Sequence, residues 1–255
     1  MELFFRERGE GEPLVMLHGL FGSADNLGGV ARNLEDEYRV ISFDLRNHGR
    51  SDHAPTMSYP EMAADVVAML DQIGVPSFHL FGHSMGGKTA MQLTLDNPAR
   101  VKRLVVADIA PVKYEHHHTE ILKGLRTVAD SDAVSRADAE AILAPYVEEP
   151  DVLSFLLTNW RRGTDGKGNW RIGLDAIDHD YANIVAANVG DAVQTPVLFL
   201  RGGLSAYIKP EHRAATLALF PNAEVRTVEG TGHWLHAEKP DLVARLVKRF
   251  LKNEL

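Results

Sequence analysis

Five short, almost uninterrupted apolar runs restrict the fold of this 255-residue chain more than any other feature of its sequence. A strand with one wet face alternates apolar and polar residues, whereas these runs do not, which indicates burial on both faces. Strands of that kind belong to a largely parallel sheet that is covered by helices. The runs are residues 14–17, 40–43, 78–81, 104–107 and 197–200.

Helical patterns lie between the apolar runs. Residues 59–73 carry apolar side chains at helical spacing, and residues 84–97 and 240–252 show the same pattern. This alternation predicts a doubly wound α/β fold with a mostly parallel, twisted sheet flanked by helices. Residues 223–228 alternate and predict a strand nearer the sheet edge. Residues 2–8, with the Gly-containing turn after them, predict an N-terminal hairpin.

The strand pattern is interrupted between the fourth and fifth runs. Residues 112–193 contain helical patterns and no strand pattern, so we expect a helical cap inserted into the sheet domain. The core domain then comprises residues 1–111 and 194–255. Within the cap, helices are predicted over residues 119–129, 135–145 and 151–161.

One apolar run leads directly into Gly82-His83-Ser84-Met85-Gly86 and then into a helical pattern. Gly-x-Ser-x-Gly between a strand and a helix is typical of a nucleophile elbow, a tight turn that lifts the serine hydroxyl out of the sheet. Glycine is required on both sides of the serine because any side chain there would collide with neighbouring backbone. The helix N-terminus also points at the reacting oxygen. We therefore predict that Ser84 is a nucleophile.

A second run ends in the Gly-containing loop His18-Gly19-Leu20-Phe21. In hydrolases with a nucleophile elbow, such a loop donates one backbone N–H to the oxyanion hole, and the residue after the nucleophile donates another. We assign the latter to Met85 and the former to Leu20, with Phe21 as an alternative. His18 is expected to brace the loop rather than to react.

His233 lies on a Gly-flanked loop after the last predicted strand, where this type of hydrolase has its general base. Its position after Ser84 in the chain also fits. The acid could come from two places. Ser205 follows the penultimate strand, where many relatives have Asp, but a neutral hydroxyl stabilises an imidazolium poorly. Asp108 follows the strand after the elbow helix, at the neighbouring edge of the same site.

The elbow segment also matches the phosphate-binding pattern Gly-x-x-x-x-Gly-Lys-Thr, from Gly82 to Thr89. A nucleotide-binding ATPase would need an acidic metal ligand at the end of another strand, for which Asp44 or Asp108 could serve. It would have no use for an oxyanion loop or a late histidine, and both are present. We therefore favour the hydrolase, in which Lys88 is an ordinary residue of the first helical turns.

Six segments carry a resemblance to a known family, namely residues 18–23, 25–27, 44–51, 82–88, 108–111 and 230–234. They resemble the YbfF-type esterases of the α/β-hydrolase superfamily. The similarity runs almost from end to end and is weakest in the predicted cap. It implies a cap over the active site, no cofactor, and hydrolysis of esters or thioesters with modest acyl chains. It also implies a triad acid after the sixth strand, which supports Asp108.

We predict acyl transfer to water through a Ser84, His233 and Asp108 triad and an acyl-enzyme, with Ser205 as an auxiliary group near His233. An apolar pocket partly supplied by the cap would suit small to medium acyl groups. Carbon–carbon bond hydrolysis and a non-catalytic small-molecule receptor on the same fold are alternatives. The aromatic candidates for the pocket are Phe21, Tyr146, Phe155, Trp160, Tyr207 and Trp234.

Composition narrows the possible partners. The net charge of -8 argues against nucleic acid and anionic membranes, because both attract basic surfaces. The absence of cysteine excludes disulfides, thiolate metal sites and a cysteine nucleophile. Residues 116–118 are consecutive histidines that point in different directions, so we expect no metal site. With no visible signal peptide or membrane-length apolar run, we expect a cytoplasmic protein acting on a small molecule.

Overall fold

A seven-stranded sheet forms the centre of the computed structural model, which describes residues 1–163 and 166–255. A separate two-stranded sheet consists of the sixth and seventh strands. The described strands are β1 (Phe5–Arg8), β2 (Glu12–Leu17), β3 (Tyr38–Phe43), β4 (Phe78–His83), β5 (Val101–Ala107), β6 (Trp160–Arg162), β7 (Gly168–Trp170), β8 (Val197–Gly202) and β9 (Ala223–Val228).

The order of the main sheet is β1-β3-β2-β4-β5-β8-β9, and every neighbouring pair except β1–β3 is parallel. All five buried runs of the sequence are strands of this sheet, which confirms the predicted mostly parallel α/β fold. β9 lies at one edge, as its alternating pattern predicts. Because six strands run in the same direction, their carboxyl ends meet at one edge of the sheet.

The predicted N-terminal hairpin is wrong. β1 pairs with β3, with Phe5 opposite Phe43, and not with β2, its neighbour in sequence. The turn after β1 passes close to other backbone: Gly9 has a φ of 69°, and a Cβ atom there would lie 2.2 Å from Glu35 O. An apolar period of two predicts a strand, but it does not specify which strand is the partner.

Helices cover both faces of the main sheet. Leu14 and Met16 of β2 pack in one core cluster with the helices at residues 28–32 and 240–251. Val15 and Leu17 pack in a second cluster with the helices at residues 59–72 and 85–96. This alternation follows from the pleat of the strand. The described helices are α1 (Gly28–Arg32), α2 (Tyr59–Gln72), α3 (Met85–Asp96), α4 (Thr119–Ala129), α5 (Arg136–Leu143), α6 (Pro150–Leu156), α7 (Leu174–His179), α8 (Tyr181–Ile184), α9 (Arg213–Leu219), α10 (Leu235–Glu238) and α11 (Pro240–Leu251), with short 3₁₀ turns at Ala24–Leu27, Ala144–Tyr146, Leu157–Asn159 and Pro210–His212.

The segment 112–193 contains α4 to α8 and also the β6–β7 pair, so the expectation that it has no strands is wrong. The helix predicted over 119–129 has those bounds. The helix predicted over 151–161 ends earlier, because Trp160 begins β6 opposite Trp170. The side-chain amide of Asn159 donates to Phe21 O at 2.8 Å where the helical turn stops. Within the two described ranges, no helix is long and apolar enough to cross a membrane.

Candidate active site

Four non-glycine residues near the carboxyl edge of the main sheet have a left-handed backbone. Phe21, Asn47, Ser84 and Asp108 follow β2, β3, β4 and β5, respectively, and their φ angles lie between 52° and 62°. Such conformations cost free energy and persist where the surrounding structure holds them, most often at functional sites. The strain therefore marks this edge of the sheet as the place to look for chemistry.

The turn around Ser84 is closely packed. A Cβ atom on Gly82 would lie 2.2 Å from Gly86 O, and one on Gly86 would lie 2.3 Å from Leu17 O. Neither position can hold a side chain, which is the physical reason for the Gly-x-Ser-x-Gly spacing. Ser84 itself stays outside α3, with a φ of 52° and a ψ of -121°. The sharp turn presents its hydroxyl at the strand end.

Ser84, His233 and Asp108 form a continuous hydrogen-bonded line. Ser84 Oγ lies 3.0 Å from His233 Nε2, and His233 Nδ1 lies 2.8 Å from Asp108 Oδ2. Asp108 is fully buried, and its other oxygen accepts the Gly202 N–H at 2.9 Å. Since Asp108 Oδ2 accepts from Nδ1–H, Nε2 is the nitrogen free to accept the serine proton.

The structure brings both candidates for the acid into the site but gives them different contacts. The Ser205 hydroxyl donates to Asp108 Oδ2, the oxygen that also contacts His233. The auxiliary role of Ser205 near His233 stays a prediction, and in the structure its Oγ contacts the carboxylate. Ser205 Oγ also accepts the Tyr207 N–H at 3.2 Å.

Two buried histidines hold the loop of residues 18–21, which is called the oxyanion loop after its predicted role. His48 Nε2 accepts the Phe21 N–H at 3.0 Å, and its Nδ1–H donates to Arg46 O at 2.9 Å. His18 Nε2 accepts the Leu45 N–H at 3.0 Å, which agrees with its expected bracing role. Burial lowers the pKa of His18 to about 4 and that of His48 to about 3, so both are neutral acceptors near pH 7.

His48 is a functional residue that sequence reasoning missed. Its contact occupies the Phe21 N–H, which makes Phe21 unavailable as a donor to an oxyanion. The signal was available, because His48 lies in the segment 44–51 that carries part of the family resemblance. The sequence does not show that this segment reaches the loop after β2, and so its contribution could not be assigned.

Neighbouring residues hold both the imidazole and the backbone of His233. The Tyr207 ring stacks on it, with centroids 3.9 Å apart and planes 19° from parallel. The backbone is held separately, because His83 Nε2–H donates to His233 O at 2.9 Å. His83 and the adjacent His236 are buried, and burial lowers both pKa values, that of His236 to about 3. These contacts restrict the rotation of His233 toward Ser84.

A cavity of about 700 Å³, here called the large cavity, opens beside Ser84 and His233. It lies between the oxyanion loop, α6 and the segment that includes α10. A narrow cavity of about 30 Å³ also reaches Ser84, with Met85 and Lys88 in its wall. Four of the predicted pocket aromatics line the large cavity, namely Phe21, Phe155, Tyr207 and Trp234.

The other two predicted pocket aromatics are misassigned, because they pack inside segment 112–193. Trp160 is buried against Trp170, with centroids 4.9 Å apart. Tyr146 covers Gly124 of α4 so closely that a Cβ atom there would lie 2.7 Å from the tyrosine Cβ. Neither residue is part of the wall of the two cavities at Ser84. Helical spacing identifies apolar positions but does not say which of them face a cavity.

The phosphate-binding alternative finds no support in the geometry. Asp44 does not face Lys88: its carboxylate accepts the N–H groups of Ala24 and Arg50 at 2.7 and 2.8 Å. Lys88 donates to the backbone oxygens of two residues in segment 112–193. It is 1% exposed, so the prediction of an ordinary helix residue is wrong. Spacing alone does not reveal that a lysine is buried.

No group of three or more His, Cys, Asp or Glu residues in the described part of the chain could hold a metal ion. Two of the consecutive histidines instead contact tyrosines. His117 Nε2 lies 2.6 Å from the Tyr207 hydroxyl, and His118 Nδ1 lies 2.7 Å from the Tyr181 hydroxyl. These contacts link residues 116–118 to the wall of the site.

Comparison with known proteins agrees with this geometry. The model of the alpha/beta hydrolase fold family matches residues 12–240. The chain belongs to the α/β-hydrolase family. Among curated relatives of this α/β hydrolase, Esterase YbfF of Escherichia coli (strain K12) is 42% identical, over 94% of this chain and 93% of the relative. The sn-1-specific diacylglycerol lipase ABHD11 of Mus musculus is 38% identical, over 93% of this chain and 80% of the relative.

A solved structure gives the same result. A marine microorganism esterase is 42% identical to this α/β hydrolase, with a TM-score of 0.95 over 98% of this chain and 99% of that one. The predicted resemblance to YbfF-type esterases is therefore confirmed. The chain is an α/β hydrolase of the esterase and lipase type.

Proposed function

We propose that this α/β hydrolase cleaves carboxylic esters with Ser84 as its nucleophile. The observation that carries the proposal is the hydrogen-bonded line from Ser84 Oγ through His233 to Asp108. Its distances, 3.0 and 2.8 Å, lie within the range in which a general base can take a proton from a hydroxyl group. Relatives named as an esterase and a diacylglycerol lipase support the same class of reaction.

In the acylation step, Ser84 Oγ attacks the ester carbonyl carbon while its proton moves to His233 Nε2. The negative charge that develops on the carbonyl oxygen is stabilised by the N–H groups of Met85 and Leu20. Leu20 is preferred to Phe21 because the Phe21 N–H already donates to His48. Asp108 accepts the His233 Nδ1–H and stabilises the imidazolium.

In the second half of the reaction, the imidazolium of His233 gives its proton to the departing alkoxide. Water then attacks the acyl group on Ser84 while His233 takes one of its protons, and His233 returns that proton to Ser84 Oγ as the carboxylic acid leaves. Ser205 orients Asp108 through its hydroxyl hydrogen bond and takes no proton itself. No step needs a cofactor.

Segment 112–193 acts as a cap in this proposal, on a core domain formed by residues 1–111 and 194–255. The placement of α6 supports this division, because α6 forms one wall of the large cavity and loops of the core form the other. A cavity of about 700 Å³ is within the usual range for small-molecule sites. Its apolar groups, Phe155 and Trp234 among them, suit an acyl chain of small to medium length.

The charge around the large cavity favours oxygen esters over acyl-coenzyme A thioesters. Glu149, Asp151 and Glu238 are exposed residues in its lining, and no Lys or Arg is among its described lining residues. The phosphates of coenzyme A would meet like charge at the mouth, which raises the free energy of binding. At equal acyl length, we expect a higher kcat/KM for a neutral ester than for the thioester, and a smaller difference at high salt.

The direct test uses p-nitrophenyl esters from acetate to octanoate and a fluorophosphonate that modifies active-site serines. We expect turnover that the reagent abolishes, with one adduct on the peptide that contains Ser84. The Ser84→Ala variant should form no adduct while keeping its melting temperature. Binding of the esters without turnover would favour a receptor, and an adduct on another residue would overturn the assignment of Ser84.

A further inference from the structure

Lys88 is a buried charged residue for which the proposed mechanism has no use. It lies on α3 one turn after Ser84, and its N–H donates to Ser84 O at 3.0 Å. It is one of the largest fully buried side chains of the protein. Removing an ammonium from water costs free energy unless other groups replace the water. The groups that replace water around the Lys88 ammonium therefore show which segments of the protein this side chain holds together.

The groups that replace water come from both ends of the cap. Lys88 Nζ donates to Val112 O at 2.5 Å and also to Ala186 O. These residues are far apart in sequence, since one lies where the chain enters the cap and the other lies after its last helix. The Tyr114 and Tyr59 rings face the ammonium, with centroids 5.1 and 5.6 Å from Nζ. Such rings stabilise a cation through their π electrons.

Neutral hydrogen bonds surround the Lys88 ammonium. Each of them joins only two of the three segments that meet here, namely α3 and the two ends of the cap. Tyr114 N–H donates to Val185 O at 2.9 Å, which joins the two cap ends to each other but not to α3. The side-chain amide of Asn188 donates to Lys88 O at 2.8 Å, and that of Gln92 donates to Val189 O at 3.0 Å. These last two bonds join α3 only to residues 188 and 189, near the C-terminal end of the cap. Lys88 Nζ, in contrast, donates hydrogen bonds at both ends of the cap, to Val112 O and to Ala186 O.

The position of Lys88 connects this contact to the site. Its side chain lies in the wall of the narrow cavity together with Ser84, Met85 and Tyr114. A shift of the cap ends by an ångström would therefore change the space next to the nucleophile. Burial lowers the pKa of Lys88 to about 7, whereas the two carbonyl oxygens that accept from Nζ favour its charged form.

We propose that Lys88 is a positioning residue whose ammonium holds both ends of the cap against α3 and so fixes the cap over Ser84. It acts through Val112 and Ala186 and does not touch the substrate. Its effect on turnover rests on the proposed function, whereas its effect on the cap ends does not. The two effects can be measured separately.

The test compares Lys88→Met with Lys113→Met. Methionine keeps the length of an unbranched side chain and removes the N–H donors, whereas Lys113 is an exposed lysine at the same end of the cap. In Lys88→Met, we expect amide hydrogen exchange to accelerate about tenfold in residues 112–118 and in residues 184–190. Lys113→Met should leave both segments as in the wild type. Asn188→Ala should accelerate exchange in residues 184–190 alone.

Kinetics provide the second readout. With p-nitrophenyl octanoate, KM should rise about tenfold in Lys88→Met while kcat changes little, because a misplaced cap weakens binding of the longer chain. With p-nitrophenyl acetate, both constants should stay near their wild-type values. If Lys88→Met does not fold, Lys88→Gln replaces it, since glutamine retains N–H donors on a shorter side chain.

Three outcomes would overturn the proposal. Unchanged exchange at either cap end would show that Lys88 does not hold both. An equal loss of kcat for both esters with a lower melting temperature would indicate a general contribution to stability. A loss confined to an anionic ester such as p-nitrophenyl hemisuccinate would indicate a substrate-binding cation. If the wild type hydrolyses no ester, the proposed function fails, and hydrogen exchange still decides the role of Lys88.

Discussion

The two walls of the large cavity are built in different ways. On the core side, Ser84 and Asp108 follow directly on strands of a buried sheet, and their backbones are held in left-handed conformations. On the cap side, the wall is α6, a seven-residue helix in which only Leu156 is buried. In the proposed mechanism, the chemistry depends on backbone geometry that the sheet fixes, whereas the fit of the substrate depends on side chains that can be substituted without disturbing that geometry.

The largest expected difference between the walls comes from one substitution made on each side. Ser84→Ala should lower kcat by a factor on the order of 10⁶, because the attacking oxygen is lost. Ser154→Ala makes the same chemical change on α6 and should leave kcat nearly unchanged, although Ser154 lines the same cavity. The measurement is kcat on p-nitrophenyl butyrate, with the melting temperature as a check on folding. Near-normal turnover by a folded Ser84→Ala variant would invalidate the mechanism.

A second pair removes a carboxylate from each wall. Asp108→Asn should lower kcat by a factor on the order of 10⁴, because an amide stabilises neither the required tautomer nor the imidazolium of His233. Asp151→Asn, on the cap side, should have little effect on kcat for a neutral ester. Pre-steady-state and steady-state rates would distinguish slower acylation from slower deacylation.

Ser205→Ala tests how the acid is oriented. Its hydroxyl contacts Asp108 and not the imidazole, so its loss should cost far less than the loss of the carboxylate. We expect a fall in kcat of about tenfold, the order of one hydrogen bond to a charged group. The assignment would be reversed if Asp108→Asn were nearly silent and Ser205→Ala severe.

A smaller effect is expected from the cap aromatics, and it concerns KM. Phe155 lines the large cavity and packs against Trp234, with ring centroids 5.3 Å apart. Phe155→Ala should raise KM for p-nitrophenyl octanoate about tenfold while changing KM for the acetate little, because only the longer chain reaches the lost surface. Tyr146→Ala serves as the control, since Tyr146 packs against α4. If both variants changed the chain-length preference equally, the assignment of Phe155 to the wall of the large cavity would be wrong.

Acid stability is expected to have the smallest effect on the rate near neutral pH, and buried histidines on both sides of the cavity contribute to it, because burial also lowers the pKa of His118 to about 3. His18, His48, His83 and His236, all buried on the core side, have pKa values lowered by burial. The unfolded chain therefore binds more protons than the folded protein below pH 6.5. The free energy of unfolding should fall from that pH down to about 4, by up to about 1.4 kcal/mol per pH unit for each group.

Urea unfolding at pH 7.5, 6, 5 and 4.5 measures this dependence. In His48→Gln, whose amide can replace the contacts of the ring without titrating there, the free energy should fall less steeply with pH. An unchanged slope would show that His48 is protonated in the folded protein at these pH values.

The sequence predicts most of the main sheet, because buried parallel strands have an apolar pattern that few other structures share. It also predicts the elbow and His233, since glycine spacing reports close backbone contacts directly. Other features depend on contacts between distant residues. The pairing of β1 with β3, the burial of Lys88 and the bond from Ser205 to Asp108 are of this kind. Tyr146 and Trp160 were misassigned for the same reason.

The predicted location and partners have a different basis. A cytoplasmic location and a small-molecule partner were expected from composition and from the absence of visible targeting signals. No contact in the fold reports on either, so both stay predictions. The choice between oxygen ester and thioester, in contrast, depends on the structure, because the carboxylates around the large cavity favour the neutral ester.

If segment 112–193 is the cap proposed above, the contact at its two ends also bears on how such enzymes diversify. Val112 O and Ala186 O share Lys88 Nζ as their hydrogen-bond donor, so the first residue of the proposed cap lies within a few ångströms of a residue that follows its last helix. Whatever is encoded between these points can lengthen, shorten or be exchanged by recombination without altering the spacing of the strands it interrupts. The entropic cost of closing an inserted loop grows only slowly with its length. We therefore expect that recombination or protein engineering can replace segment 112–193 as a unit while the residues of the proposed triad keep their positions.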